Sequence, residues 1–221
     1  MQYKWLKKTG EDKLLIFFTG WGMDADSVQL DLGEMDLLVV YDYRSEVIEN
    51  SVLEEIAKYS SKTCIAWSLG LVAAATKLKE IKADFSIAIN GSLFPANDNL
   101  GIPEATYQGT YDNLSERSLN KFMRRVFVSK DEFNVFIENR DFRDISVLKE
   151  ELLFVRQLAS KLSLEDRKLF DKVIVSKQDK IFPVANLICF WENALQLDTA
   201  HYPFYGYSSW EEIVALCKIK I

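Results

Sequence analysis

Residues 63–78 read TCIAWSLGLVAAATKL, and this stretch decides the fold. The apolar run before Ser68 is typical of a strand buried on both faces of a sheet, and the Ala- and Leu-rich run after it predicts a helix over residues 69–79. Ala66 and Gly70 lie two residues before and two residues after the serine. Small residues at these positions let strand and helix approach closely, as they do around a nucleophilic serine on a sharp strand-to-helix turn.

Ser68 is therefore a candidate nucleophile. The turn holds such a serine in a strained conformation, and the N-terminus of the next helix offers backbone N–H groups where an oxyanion forms. Ala66 stands where the GxSxG pattern has glycine, so the pentapeptide alone also fits a serine that only caps the helix. The strand before the serine and the helix after it favour the nucleophile.

Further apolar runs alternate with helical patterns along the chain. The runs cover residues 14–18, 37–41, 85–89, 173–175 and 195–197, and the helical patterns cover 51–59, 69–79, 184–194 and a last helix to about Lys218. Ser208 and Glu211 have the spacing of a capping box for that last helix. The alternation predicts a mostly parallel sheet flanked by helices.

Residues 112–170 interrupt the alternation, because they show helical periodicity and no convincing strand. We expect them to form a helical lid inserted into a single domain that spans residues 1–221. The core of that domain then covers about 1–111 and 171–221. The 48% hydrophobic content is sufficient for one buried core.

Composition excludes several classes of protein. The net charge of −6 disfavours a nonspecific grip on nucleic acid. Thr19 and Gly20 end the first apolar run, which is too short for a signal peptide or a membrane span. We expect a soluble cytoplasmic protein that binds neither nucleic acid nor membrane.

Metal and organic cofactors are not expected. The cysteines are far apart, no CxxC spacing occurs, and the chain has a single histidine, so the sequence offers no structural zinc site. Apolar neighbours predict buried, reduced thiols for Cys64, Cys189 and Cys217.

The segment Thr19-Gly20-Trp21-Gly22 follows the first apolar run, and its glycines let the backbone approach a ligand closely. In an α/β-hydrolase this loop supplies one donor of the oxyanion hole, which here is the backbone N–H of Trp21. The other donor is the backbone N–H behind the nucleophile, that of Leu69. The loop lacks the GxGxxG pattern and a phosphate-binding lysine, which argues against a nucleotide site.

His201, the single histidine, comes directly after the last predicted strand. Asp179 follows the run at 173–175 and lies 22 residues upstream of His201, which leaves room for one helix and one strand between them. Asp198 is the alternative acid, but it lies on the strand that leads to His201, so Asp179 is preferred. The order Ser68, Asp179, His201 is the order of nucleophile, acid and base in the α/β-hydrolase fold.

Six blocks of the sequence carry a family resemblance: Phe17–Asp24, Tyr41–Arg44, Ala66–Gly70, Asn90–Ser92, Gly101–Pro103 and His201–Phe204. Together they resemble the BioG family, which contains pimeloyl-[acyl-carrier protein] methyl ester esterases of biotin synthesis. The resemblance implies hydrolysis of the methyl ester on pimeloyl-carrier protein to give pimeloyl-carrier protein and methanol. It also implies that Ser68 is the nucleophile, His201 the base and Asp179 the orienting acid, with no cofactor.

The predicted lid carries a basic helical face. Bases outnumber acids between Arg117 and Arg143, although the whole chain is acidic. Helical spacing places Arg117, Lys121 and Arg124 on one face and Leu119, Phe122 and Val126 on another. We expect the basic face, with Arg125, to contact an acidic carrier protein; an ordinary solvated helix is an equal alternative.

Other interpretations stay open at this point. The same site would serve a thioesterase or an esterase for another acyl group. Two alternatives lie outside ester hydrolysis. One is a non-enzymatic binding protein with the α/β-hydrolase fold, and the other is a flavodoxin-like domain in which the Ser68 turn is a coincidence. The sequence carries no signal for an oligomeric state.

Overall fold

One seven-stranded sheet organises the computed structural model, which describes residues 1–138, 140 and 142–218. The strands are β1 (Gln2–Lys7), β2 (Lys13–Phe18), β3 (Asp36–Tyr41), β4 (Ser61–Trp67), β5 (Phe85–Ile89), β6 (Lys172–Ser176) and β7 (Leu195–Leu197). Their order across the sheet is β1-β3-β2-β4-β5-β6-β7. Only the β1–β3 pair is antiparallel among the described strands. The predicted mostly parallel sheet is confirmed.

Eight α-helices accompany these strands in the part of the chain that is described. They are α1 (Asn50–Ile56), α2 (Gly70–Ile81), α3 (Glu104–Asp112), α4 (Glu116–Val126), α5 (Lys130–Ile137), α6 (Ile145–Ala159), α7 (Val184–Phe190) and α8 (Trp210–Lys218). Short 3-10 helices cover Leu164–Leu169 and Phe204–Gly206. No helix among the described residues is long and apolar enough to cross a membrane.

The central strands β2 and β4 are buried on both faces. Every side chain from Leu14 to Phe18 and from Cys64 to Trp67 is at most 1% exposed. The two strands pair in parallel, with Ile16 opposite Cys64, and α2 packs against both. Successive side chains of a strand point to opposite faces of the sheet, and here both faces are covered. All of these side chains must therefore be apolar, which explains the continuous apolar runs in the sequence.

The helices α3–α6, which we call the helical segment (residues 104–159), lie between β5 and β6. Residues 112–170 contain no strand where they are described, as predicted. The first helix starts at Glu104, earlier than position 112, because Pro103 precedes it and the chain turns into the helix there. On α4, Leu119 and Val126 are buried as expected, but the third buried residue is Met123, and Phe122 is half-buried.

Three local predictions are wrong. The strand β1 was not expected; its half-buried Tyr3 and Trp5 alternate with polar residues, because it is an edge strand. The N-terminal cap of α8 uses Glu212, not Glu211: Ser208 N–H donates to the Glu212 carboxylate, and Glu212 N–H donates to Ser209 Oγ. Cys189 is exposed, whereas Cys64 and Cys217 are buried.

The carboxyl edge of the sheet gathers the predicted site residues. Ser68 directly follows β4, and the loop Thr19–Gly22 directly follows β2. Asp179 and His201 lie just after β6 and β7. Because parallel strands all end at this edge, residues far apart in the sequence meet here.

Candidate active site

Ser68 occupies the sharp turn between β4 and α2 in a left-handed backbone conformation, with φ = 58°. Gly70 makes this turn possible, because a Cβ at Gly70 would lie 2.2 Å from the carbonyl oxygen of Thr19. The N-cap of α2 is Leu69, and it has no side-chain capping bond. Ser68 therefore has the strained conformation of a nucleophile elbow and does not serve as a helix cap.

Ser68, His201 and Asp179 form one hydrogen-bonded chain. His201 Nδ1 lies 2.7 Å from Asp179 Oδ2, and His201 Nε2 lies 2.9 Å from Ser68 Oγ. A carboxylate only accepts, so Nδ1–H donates to Asp179 and Nε2 accepts the Ser68 hydroxyl proton. The histidine is 1% exposed. The arrangement can remove a proton from the serine in a site shielded from solvent.

The Asp179 carboxylate is fixed by its own loop. Its Oδ1 accepts the backbone N–H groups of Ile181, at 2.7 Å, and Phe182, at 3.0 Å. Its other oxygen is thereby turned toward His201. Asp198, the alternative acid, is exposed and accepts a hydrogen bond from Gln178 Nε2 at 2.8 Å. The structure thus brings Asp179, and not Asp198, to the histidine.

Two residues that the sequence analysis did not assign hold the backbone of His201. Trp67 Nε1 and Asn90 Nδ2 both donate to the His201 carbonyl oxygen, at 2.8 and 2.9 Å. Asn90 is left-handed, with φ = 49°, and also bonds Ser176 through both ends of its amide. The only signal for these residues was their place in the conspicuous blocks Ala66–Gly70 and Asn90–Ser92.

Two backbone N–H groups point to an oxyanion hole. The N–H groups of Trp21 and Leu69 have no acceptor among the residues that the structure describes, and both residues line the cavity at Ser68. N–H groups without a protein acceptor are available to a ligand oxygen, so this pair beside a strained serine is consistent with the oxyanion hole predicted from the sequence.

The cavity at Ser68 has mostly apolar walls. The helical segment covers it with Tyr107, Phe122, Val126 and Leu152. Burial raises the pKa of the Tyr107 hydroxyl, which donates to the carbonyl oxygen of Leu152 and so stays neutral. The walls suit an acyl chain, because they offer contact area with few polar groups. No cluster of metal-ligating side chains occurs within the described ranges.

A second cavity shares Thr110 and Phe122 with the first. Its rim contains Lys121 and Arg125. Arg125 also donates to the Lys180 carbonyl oxygen, whereas Arg124 lies over the ring of Phe133. Of the four predicted carrier contacts, all are exposed, but only Lys121 and Arg125 line this cavity; Arg117 and Arg124 do not.

Ser68 follows a central parallel strand in a strained conformation and is hydrogen-bonded to His201, which is hydrogen-bonded in turn to Asp179. This arrangement defines the chain as an α/β-hydrolase. The sequence profile of one family, described as "Pimeloyl-ACP methyl esterase BioG", matches residues 1–213. The chain belongs to the BioG family.

Solved structures of known proteins are similar to this chain. The crystal structure of BioG from Haemophilus influenzae has a TM-score of 0.85 and 29% identity, over 96% of this chain and 99% of that one. Bromoperoxidase from Bacillus anthracis, with a TM-score of 0.66 and 14% identity over 97% of this chain and 93% of its own, shows the fold alone.

A longer relative is the malonyl-[acyl-carrier protein] O-methyltransferase of Bacteroides fragilis, which is 38% identical over 195 residues. The match includes 85% of this chain but only 39% of the relative. The chain therefore spans well under half the length of that protein.

Proposed function

We propose that the chain is a serine esterase that cleaves the methyl ester of a pimeloyl group carried by an acyl-carrier protein, releasing methanol and pimeloyl-carrier protein. The observation that carries the proposal is the hydrogen-bonded chain Ser68–His201–Asp179 beside two N–H groups without acceptors, in an apolar cavity. Each part has a role in ester hydrolysis, and membership of a methyl esterase family supports the ester.

The first half of the reaction forms an acyl-enzyme. Ser68 Oγ attacks the ester carbonyl carbon while His201 Nε2 takes the hydroxyl proton. The N–H groups of Trp21 and Leu69 donate to the oxyanion that forms. The C–O bond to the methoxy group then breaks, and His201 returns its proton to that oxygen, so that methanol leaves. Asp179 stabilises the imidazolium and keeps the tautomer in which Nε2 accepts.

The second half releases the acid. His201 takes a proton from a water molecule, which attacks the acyl-Ser68 carbonyl carbon. The oxyanion forms again in the same hole, the bond to Ser68 Oγ breaks, and His201 protonates that oxygen. The products are the carboxylic acid on its carrier and free Ser68. The residues of this chain supply every proton transfer in the cycle.

A carrier-bound methyl ester is the substrate that the relatives support best. The Bacteroides relative is named for methylation of a malonyl group on acyl-carrier protein, which creates a methyl ester on a carrier-bound acid. A hydrolase related to part of that protein fits the opposite task, removal of such a methyl group. The apolar walls around Ser68 suit the methylene chain that separates the ester from the carrier thioester.

The second cavity supplies a route for the carrier arm. We place the lid in the helical segment, within a single domain over residues 1–221, and the carrier at the rim formed by Lys121 and Arg125. Thr110 and Phe122 line both cavities, so the second cavity lies directly against the one at Ser68. Basic side chains at the entrance complement an acidic carrier and the phosphodiester of its prosthetic arm. The cytoplasmic location stays a prediction.

Reversing both rim charges, in Lys121→Glu/Arg125→Glu, is expected to raise KM for the carrier-bound ester by about tenfold or more, because like charges repel an acidic partner. KM for a small soluble methyl ester is expected to stay within about twofold. Steady-state kinetics on both substrates measure the two KM values and so show whether only the carrier-bound ester is affected.

Lys168→Glu is the matched control, because Lys168 is exposed and lies before β6, at the opposite edge of the sheet. It makes the same Lys-to-Glu reversal as at Lys121, at a distant position, and is expected to leave both KM values unchanged. Equal increases on both substrates in the double variant would contradict docking at this rim.

The proposed substrate is tested with methyl pimeloyl-carrier protein and the shorter methyl malonyl-carrier protein. We expect a higher kcat/KM for the pimeloyl ester, because more of its chain contacts the apolar cavity. Intact mass spectrometry of the carrier identifies the bond that breaks: loss of one methylene shows ester hydrolysis, and loss of the whole acyl group shows a thioesterase. The second result, or no reaction at all, would contradict the proposed function.

A further inference from the structure

Glu151, in the middle of α6, carries a side chain with no exposed surface. Its carboxylate makes three hydrogen bonds. Oε1 accepts the backbone N–H of Tyr43 at 3.0 Å, and Oε2 accepts the backbone N–H of Gly22 at 3.3 Å and Arg143 Nη2 at 2.8 Å. The carboxylate therefore joins the helical segment to two loops at the carboxyl edge of the sheet.

A charged group in this position needs compensation. Burial raises the pKa of Glu151, and the positive charge of Arg143 opposes that rise. Arg143 also lies 3.1 Å from Asp42, which is left-handed at φ = 52° and is held by Arg44 through two hydrogen bonds. The block Tyr41–Arg44, to which the mechanism gives no role, thus forms one ionic cluster with α6.

The loop Thr19–Gly22 is fastened on both sides of the Trp21 N–H. Before it, the carbonyl oxygen of Thr19 accepts the Tyr43 hydroxyl at 2.7 Å. After it, the N–H of Gly22 donates to Glu151. The peptide unit that carries the Trp21 N–H, between Gly20 and Trp21, is therefore flanked by two anchored peptide units.

The side chain of Trp21 adds a second bond to the same helix. Its Nε1 donates to the carbonyl oxygen of Leu148 at 2.9 Å. Leu148 and Glu151 are three residues apart on α6, so they lie on one face of the helix. One face of α6 thus binds the loop at two successive residues, Trp21 and Gly22.

We propose that Glu151 is a positioning residue for the oxyanion hole. Its bond to the Gly22 N–H fixes the adjacent peptide unit so that the Trp21 N–H faces the cavity at Ser68. The proposal rests on the proposed ester hydrolysis, and it gives α6 a role in the chemistry in addition to covering the cavity. A donor displaced by about 1 Å loses much of its effect on an oxyanion, because catalysis depends on preset geometry.

Glu151→Met tests the proposal, because methionine keeps the length and unbranched shape of the side chain but has no oxygen that could accept the Gly22 N–H. On a small soluble methyl ester we expect kcat per active site to fall by about 10- to 100-fold, with KM within about threefold. Titration with a fluorophosphonate counts the active sites, so unfolded molecules do not affect kcat.

An inhibitor that forms an oxyanion supplies a second measurement. A trifluoromethyl ketone adds to Ser68 and places an oxyanion in the hole, so its inhibition constant is expected to rise in proportion to the fall in kcat/KM. A residue that only stabilises the fold would change the number of active sites and leave this constant unchanged. An unchanged inhibition constant together with an unchanged kcat per site would overturn the proposal.

Glu150→Met is the matched control on the adjacent position of α6. The Glu150 side chain is 64% exposed and pairs with Arg44 outside the cavity, so we expect its kcat to stay within about twofold of wild type. The double variant Glu151→Met/Arg143→Met removes both charges of the pair and so covers the case in which the single variant does not fold. We expect the same loss of kcat in it, and wild-type kcat there would overturn the proposal.

Failure of the proposed function has a different signature. A wild-type protein that hydrolyses no ester and does not react with the fluorophosphonate contradicts ester hydrolysis itself, before any variant is measured. An active wild type whose Glu151 variants keep full kcat per site contradicts only the role of Glu151.

Discussion

Ser68→Ala is expected to lower kcat for a soluble methyl ester by about 10⁵- to 10⁶-fold, because no acyl-enzyme can form without the hydroxyl. The remaining cavity and N–H donors keep binding the ester, so KM is expected to change little. Labelling by a fluorophosphonate, followed by mass spectrometry, is expected to disappear in this variant. The loss removes chemistry alone, since the methyl group of alanine fits where the serine Cβ lies.

Ser60→Ala is the matched control for this change. Ser60 is exposed just before β4, at the end of the strand opposite to Ser68, and its hydroxyl donates to the carbonyl oxygen of Asp12. We expect full activity and full labelling in this variant. Activity of Ser68→Ala above about 1% of wild type would rule out Ser68 as the nucleophile. A wild type that is not labelled would favour a non-enzymatic binding protein.

Strands in the centre of the sheet were predictable, and the edge strand was not. The side chains of β2 and β4 face covered surfaces on both sides, so their sequences are continuous apolar runs that stand out from any helix. In β1 no side chain is fully buried: Tyr3 and Trp5 are half-buried, and Lys4 between them is exposed. This edge strand is recognisable only together with its partner β3, whose paired residues lie 30 to 39 positions further along the chain.

The residues that react were predictable because their order along the chain is fixed by the fold. The serine, acid and base follow three parallel strands that end at one edge, so the order Ser68, Asp179, His201 sufficed to bring them together. The groups that hold them were not predictable. Trp67 and Asn90 reach the His201 carbonyl oxygen from 134 and 111 residues away, and such bonds depend on the folded backbone.

The sequence also could not show which of two neighbouring residues of like charge on α4 or α6 would be buried or line a cavity. Glu150 and Glu151 are identical side chains in neighbouring positions, yet one is 64% exposed and the other has no exposed surface. On α4, helical spacing grouped Arg124 with Lys121, whereas the structure places Arg125 with Lys121 at the second cavity. Neighbouring residues on a helix face different directions, and the elements that pack against the helix determine which direction is buried.

Asp179→Asn is expected to lower kcat by about 10⁴-fold while leaving the fold intact, because the amide has nearly the shape of the carboxylate. The direction of the amide is set by the loop. The N–H groups of Ile181 and Phe182 require an acceptor where Oδ1 now lies, so the amide oxygen takes that place. Its NH₂ group then faces His201, whose Nδ1 must accept. The proton moves to Nε2, which can no longer take the proton of Ser68.

The single histidine makes this tautomer directly observable. In a ¹⁵N-labelled protein every imidazole signal belongs to His201. At neutral pH the wild type is expected to show a protonated Nδ1, and Asp179→Asn a protonated Nε2. Asp198→Asn makes the same change on the exposed aspartate bonded to Gln178, so it is expected to keep both the wild-type tautomer and kcat. A fall in kcat without a change of tautomer would mean that Asp179 acts only through its charge, since the imidazole would then still be able to accept the serine proton.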